Sequence, residues 1–229
     1  MKIAGLQKFS LIDYPGKISA VVFTRGCNFK CPFCHNPELV LPESYAELFP
    51  LEKVFEFFEK RKTQLDGIVI TGGEPTLQDD LIDFIKKIKE SGFLVKLDTN
   101  GSNPGVLDKL IREKLIDFIS MDIKAPFEKY DKLCGKKINI ENIQKSIQII
   151  KDSGIEHTFR TTVVKHYLEY SDLIAIREMI GEDQKYVLQN FNKTGKILNP
   201  KLKETEQYTE MEIVDFQNHI NEKNTIPYL

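Results

Sequence analysis

No apolar stretch in this chain approaches the roughly 20 residues that a membrane span needs, which argues against a transmembrane helix. Charge of one sign is also lacking in any long run. The 32 Lys and Arg against 34 Asp and Glu leave a net charge of −2, which speaks against nucleic acid or an anionic membrane as the main partner. The opening residues Met1 to Phe9 lack the apolar core of a signal peptide, so the expected compartment is the cytoplasm. No internal repeat and no low-complexity segment is present. Cysteine is scarce, with four in 229 residues. Three of them fall in one short window, whereas a disulfide framework would spread them.

That window reads Arg25-Gly26-Cys27-Asn28-Phe29-Lys30-Cys31-Pro32-Phe33-Cys34-His35-Asn36. The spacing is C-x3-C-x2-C with no fourth cysteine beside it. An iron–sulfur cube normally takes four thiolates; three on one loop would leave one iron open to do chemistry. Two rivals are weaker. Zinc with His35 as fourth ligand would use two adjacent ligands, Cys34 and His35, against the paired spacings of structural zinc sites. A redox C-x-x-C of Cys31 and Cys34 leaves Cys27 unexplained. Cys134, in Leu133-Cys134-Gly135, reads as a spare thiol in a turn.

At 229 residues the chain is long enough for one sizeable core and is expected to form a single domain over 1–229. Short β-rich runs alternate with helical patterns. Strands are predicted at 18–24, 67–71, 93–98, 118–123, 157–164 and 185–189. Helices are predicted at 51–62, 77–91, 104–113, 140–153, 171–180 (with Ser171 as cap) and about 209–222 (with Thr209 in the capping position). Six β–α units imply parallel pairing and right-handed crossovers in an α/β fold. They are too few for a closed eight-fold barrel of about 250 residues. A doubly wound open sheet and a partial six-stranded barrel fit this pattern equally well.

The polar and glycine-rich segments all follow strands. They are the cysteine loop, Thr71-Gly72-Gly73-Glu74-Pro75, Asp98-Thr99-Asn100-Gly101, Asp122-Ile123-Lys124-Ala125-Pro126 and Gln189-Asn190-Phe191. Parallel α/β folds bind ligands at the C-terminal ends of their strands, so these segments are expected to converge on one site. Lys124 lies two residues beyond Asp122, so in extended chain both point the same way. Arg160 sits inside an apolar strand, where a charge needs a partner.

The cysteine spacing, with Phe33 before the last cysteine, and the Gly72-Gly73-Glu74-Pro75 run together resemble the two motifs of the radical S-adenosylmethionine superfamily, in the same order over nearly the whole chain. The stretch from Gly5 to Pro37, with Asp13-Tyr14-Pro15-Gly16 and Cys34-His35-Asn36-Pro37, resembles the activating enzymes of glycyl radical enzymes, as do Leu97-Asp98-Thr99-Asn100-Gly101 and Met121-Asp122-Ile123-Lys124. Within that group the chain looks most like the activators of anaerobic ribonucleoside-triphosphate reductase, with pyruvate formate-lyase activases nearest by motif. The resemblance implies a partial six-stranded parallel (β/α)6 barrel, the open TIM-like fold of radical SAM enzymes.

It also implies roles. Cys27, Cys31 and Cys34 would bind three irons of a [4Fe-4S] cluster, and the amino and carboxylate groups of S-adenosylmethionine would chelate the fourth. The backbone around Gly72, Gly73 and Glu74 would hold the methionine amino group. Asp98 and Asp122 would lie at the S-adenosylmethionine site, or cap strand ends. Lys124 would neutralise the methionine carboxylate, or be a solvated surface lysine. Arg160 would face that carboxylate or an internal ion pair, Phe33 would pack near the adenine, and Gln189 and Phe191 would approach the nucleoside. A flavodoxin or ferredoxin would supply one electron, cleaving S-adenosylmethionine to a 5′-deoxyadenosyl radical that takes a Cα hydrogen from a glycine of the partner enzyme. Other outcomes are a pyruvate formate-lyase-type activase, a radical enzyme acting on a small molecule such as a deazapurine precursor, and a noncatalytic metal-binding module. Gln189-Asn190-Phe191-Asn192 stands where pyruvate formate-lyase activases carry a histidine, and the fifth strand runs on to Lys165 where they have proline. With no second cysteine cluster, auxiliary iron–sulfur clusters are not expected.

Overall fold

The computed structural model describes residues 1–221. Its centre is a seven-stranded sheet in sequence order: β1 (Ile3–Ser10), β2 (Ser19–Thr24), β3 (Gly67–Gly72), β4 (Leu94–Thr99), β5 (Phe118–Asp122), β6 (Glu156–Val163) and β7 (Tyr186–Asn190). From β2 onward every pairing is parallel. These are the six expected strands, and helices connect them: α1 (Pro37–Val40) and α2 (Leu51–Arg61), then α3 (Leu81–Glu90), α4 (Pro104–Arg112), α5 (Tyr130–Cys134) and α6 (Ile140–Asp152), then α7 (Tyr170–Ile180). A final helix, α8 (Glu210–Asn221), follows β7. β1 and β7 are the two edges of the sheet, so it stays open.

The strand absent from the sequence reading is β1, which runs antiparallel to β2. Its interior residues are exposed or half-buried, with only Ile3 and Ser10 buried. An edge strand of this kind carries no apolar run for periodicity to detect. Two shorter corrections and one agreement follow from local chemistry. The helix expected from Leu77 begins at Leu81, because Pro75–Leu77 forms a separate 3-10 turn capped by the Glu74 side chain. Ser171 lies inside α7; the cap is Glu169, in a reciprocal capping box with Asp172. Thr209 does cap α8, its hydroxyl accepting from Glu212 N at 3.2 Å while the Glu212 carboxylate accepts from Thr209 N at 2.7 Å. The expected last residue of that helix, Glu222, lies outside the described residues.

Alternation along the strands separates two faces. Ala20, Val22, Ile68, Ile70, Val95, Leu97, Ile119 and Met121 face the helices and form the main core with Phe58, Ile85, Leu107 and Ile176. On the other face Tyr14, Val21, Val69 and Phe118 make a small second cluster. The Tyr14 and Phe118 rings pack there at a tilt of 58°, their centroids 5.9 Å apart. These residues lie toward the strand starts. Further along the same face, the strand ends turn polar with Asp98, Asp122 and Arg160. The inner surface thus grades from an apolar floor to a charged rim, which is where the site lies.

Candidate functional site

The cysteine loop leaves β2 and is held from several sides. Gly26 N donates to Leu39 O and Lys30 N to Cys134 O, each at 2.8 Å. The chain beyond β7 crosses it, with Leu198 N donating to Cys34 O at 2.9 Å and Asn199 N to Pro32 O at 2.8 Å. Within the loop, Cys34 N donates to Cys31 O at 2.9 Å and Phe29 N approaches Cys27 Sγ at 3.4 Å. The loop after β3 locks against it: Gly73 N donates to Thr24 O at 2.9 Å and Glu74 N to Gly26 O at 2.8 Å. Only glycine tolerates this approach. Gly72 has φ +117°, and a Cβ there would lie 2.3 Å from Thr24 N.

Glu74 is fully buried, and its carboxylate joins the two neighbouring loops. It accepts from Thr76 N (3.1 Å), Thr76 Oγ1 (2.6 Å), Thr99 Oγ1 (2.8 Å) and Asn100 N (2.7 Å). Burial pushes this carboxyl up, against the four hydrogen bonds that favour its charged form.

The charged rim is a chain of alternating sign. Lys96 pairs with Asp98, Asp98 with Arg160 at 3.5 Å, Arg160 with Asp122 at 2.9 Å, and Asp122 with Lys124 at 3.0 Å. Three cations and two carboxylates thus alternate along the chain, with Lys96 at its buried end. Burial works against the Asp122 charge, but Arg160 and Lys124 outweigh it and hold the carboxyl down at about 2. The same pairings outweigh burial at Lys124 and Arg160 and raise both. At Lys96 burial prevails over Asp98 and lowers it. This arrangement can neutralise an incoming carboxylate at little further cost in desolvation.

One cavity of about 260 Å³ gathers most of these groups, just below the range of about 300–1,000 Å³ usual for small-molecule sites. Cys27, Cys31, Cys34, Phe33, Gly72, Gly73, Glu74, Asp98, Asp122, Lys124 and Arg160 all line it. Lys124 is therefore neither solvated nor at the surface, its side chain being 15% exposed. Arg160 takes the internal ion pairs and also lines the cavity. Gln189 is the exception: it is exposed, pairs in register with Thr162 and stands outside the cavity. Phe191 is buried against the His35 ring at 5.4 Å, and it is His35 that reaches the cavity wall.

Several contributors escaped the sequence reading. Thr162 lines the cavity, as do Thr71, Thr99 and Asn100 from segments already expected there. Lys96 anchors the charge chain from β4 with its side chain only 3% exposed. The i, i+2 argument that pairs Asp122 with Lys124 applies equally to Lys96 and Asp98, and would have found it. Cys134 is not a spare thiol in an open turn but a fully buried residue ending α5.

Among the described residues, no three His, Cys, Asp or Glu side chains gather closely enough to hold one metal ion. A zinc ion needs all its ligands at ~2 Å from one point. Three thiols spread along a cavity wall suit instead a multi-iron group, whose thiolate ligands stand apart. Burial raises Cys27 to about 12 and raises Cys34 also, so binding such a group must displace their protons.

Comparison with known proteins agrees with this geometry. The radical SAM superfamily profile matches residues 21–180. A protein of Methanocaldococcus jannaschii, provisionally named a glycyl-radical enzyme activating enzyme, is 38% identical over 194 residues, covering 82% of this chain and 79% of that one. A pyruvate formate-lyase-activating enzyme of Clostridium pasteurianum is 30% identical over 169 residues, covering 71% and 68%. Among solved structures, Streptococcus suis SuiB bound to S-adenosylmethionine matches 87% of this chain with a TM-score of 0.67 at 15% identity. The match spans 48% of the SuiB chain, and the likeness is one of fold. The chain belongs to the radical SAM superfamily, among the glycyl-radical enzyme activating enzymes.

Proposed function

We propose that this protein installs a glycyl radical on anaerobic ribonucleoside-triphosphate reductase, using a [4Fe-4S] cluster held by Cys27, Cys31 and Cys34 together with S-adenosylmethionine. The observation that carries this reading is the meeting, in one cavity, of an incomplete thiolate set and a rim that presents two fixed cations, Lys124 and Arg160, beside the Asp98 carboxylate. A ligand carrying an amino group and a carboxylate completes both.

When bound, the cluster and S-adenosylmethionine supply the one-electron chemistry, cleaving the sulfonium to methionine and a 5′-deoxyadenosyl radical that abstracts a glycine Cα hydrogen from the partner. The chain's own residues position and shield. Lys124 and Arg160 orient the methionine carboxylate, with Asp122 fixing both cations and keeping them charged. The N–H groups of Gly73 and Glu74 are engaged with Thr24 and Gly26, which leaves carbonyl oxygens of this loop to accept from the ligand ammonium. The Glu74 side chain braces that loop to the one after β4. Asp98, held by Lys96 and Arg160, presents a carboxylate to the ammonium or a ribose hydroxyl. Phe33, buried at the cavity wall, packs beside the adenine. No proton-transfer residue is required.

The electron donor is a flavodoxin or ferredoxin, and the fold's open edge between β1 and β7 admits a peptide loop. The likeness to a pyruvate formate-lyase-activating enzyme supports a second reading, in which the partner is a formate-lyase. The test is anaerobic reconstitution, reduction, addition of S-adenosylmethionine and each candidate partner, and electron paramagnetic resonance. A glycyl doublet on the reductase is the expected result. A doublet only on the lyase selects the second reading, and absence of 5′-deoxyadenosine under all conditions overturns both.

A further inference from the structure

The fourth cysteine is not idle. Cys134 ends α5, 103 positions from Cys31 in the chain, yet its backbone is hydrogen-bonded to Lys30, the residue before Cys31, and its thiol lies within interaction range of the Cys31 thiol. Its placement is tightly set. Tyr130, Leu133 and Cys134 are all 0% exposed. The Cys134 carbonyl accepts from Lys30 N at 2.8 Å. The next residue, Gly135, has φ +66°, and a Cβ there would lie 2.3 Å from Lys30 O. Only glycine lets the end of α5 come this near the cysteine loop. Cys31 lines the cavity whereas Cys134 does not, so Cys134 meets Cys31 outside the space available to a cluster.

We propose that Cys134 is a positioning residue whose thiol donates a hydrogen bond to the Cys31 sulfur when that sulfur is an iron ligand, making the cluster easier to reduce. This rests on the cluster assignment above. An iron-bound thiolate carries no proton, so the proton shared between the two sulfurs is the one on Cys134. A donor to a cluster sulfur favours the more negative, reduced state, because hydrogen bonds to the sulfurs set cluster potentials. The same contact holds the Cys31 side chain in one orientation. A buried cysteine acting only as a small apolar filler would leave the potential alone.

The experiment is a redox titration of the anaerobically reconstituted wild-type protein, Cys134→Ser and Cys134→Ala, following the reduced cluster by electron paramagnetic resonance and counting iron per chain. Cys134→Ala should lower the reduced-to-oxidised ratio at fixed potential by about 3- to 10-fold, where tenfold is 59 mV for one electron. Cys134→Ser, which keeps a donor, should stay near wild type. Equal ratios in wild type and Cys134→Ala at equal iron content overturn the proposal. So does equal iron loss in both variants, which would mark a purely packing role. If the wild type itself takes up no iron, the cluster assignment fails first, and this inference with it.

Discussion

The Cβ that Gly73 lacks would lie 2.0 Å from the carbonyl oxygen of Gly26. The loop after β3 and the cysteine loop after β2 are thus in backbone contact, and Glu74 N seals the junction by donating to the same oxygen at 2.8 Å. Whatever binds the first loop is positioned by the second.

Gly73→Ala should therefore displace the cysteine loop. The obstacle is backbone, which cannot swing aside as a long side chain can, so destabilisation of about 1–3 kcal/mol is expected, with iron per chain after reconstitution falling well below wild type. Gly105→Ala is the matched control. It sits in the first turn of α4 with nothing within 4 Å of the added Cβ, and should stabilise by about 0.5–1 kcal/mol. Urea unfolding and iron analysis check both.

Lys96→Met removes one partner of a buried pair and leaves Asp98 with only Arg160. Breaking such a pair costs about 3–5 kcal/mol. Adding Asp98→Asn should restore part of that loss, since the carboxylate that has lost its nearer partner is then no longer charged. A double-mutant cycle in urea measures the coupling, and additivity of the two changes would refute the pairing.

Asp122 gives a pH dependence with a definite sign. Its folded carboxyl is held at about 2, below the ~3.9 of an unfolded aspartate. A depressed carboxyl contributes stability that is fully present above pH ~4 and lost as pH falls through 2, on the order of 2 kcal/mol in all. The stability difference between wild type and Asp122→Asn should accordingly shrink between pH 4 and pH 2 and stay level from pH 5 to 7.

Leu198→Pro tests the crossing segment beyond β7. It deletes the N–H that donates to Cys34 O at 2.9 Å and leaves a carbonyl of the cysteine loop without that partner, a cost of about 1–3 kcal/mol. Iron should dissociate faster in the presence of a chelator, and the unfolding transition should shift by no more than that cost. An unchanged release rate would show that the segment does not brace the loop.

Much of the fold was legible because its signals are local. Buried strands such as Ile68–Val69–Ile70 and amphipathic helices such as α3 carry their own periodicity, and parallel pairing follows from their alternation. β1 was missed because it is an exposed edge. The start of α3 was misplaced because a proline turn capped by a glutamate imitates the first turn of a helix. The sequence points to Ser171 as a cap because capping by Glu169 depends on a reciprocal contact with Asp172 that only the folded turn displays.

The site divides in the same way. By itself the amino-acid sequence determined the three-cysteine spacing, the glycines after β3 and the acidic strand ends, since each is a short pattern whose chemistry depends on residues a few positions apart. Tertiary structure alone decided which distant groups meet. It placed Arg160 between Asp98 and Asp122, drew Lys96 under the rim, left Gln189 outside the cavity and set Cys134 against Cys31. Those outcomes depend on strand register and on how far each loop may approach its neighbour. Both are settled by packing across the whole sheet, where no single stretch of chain carries the information.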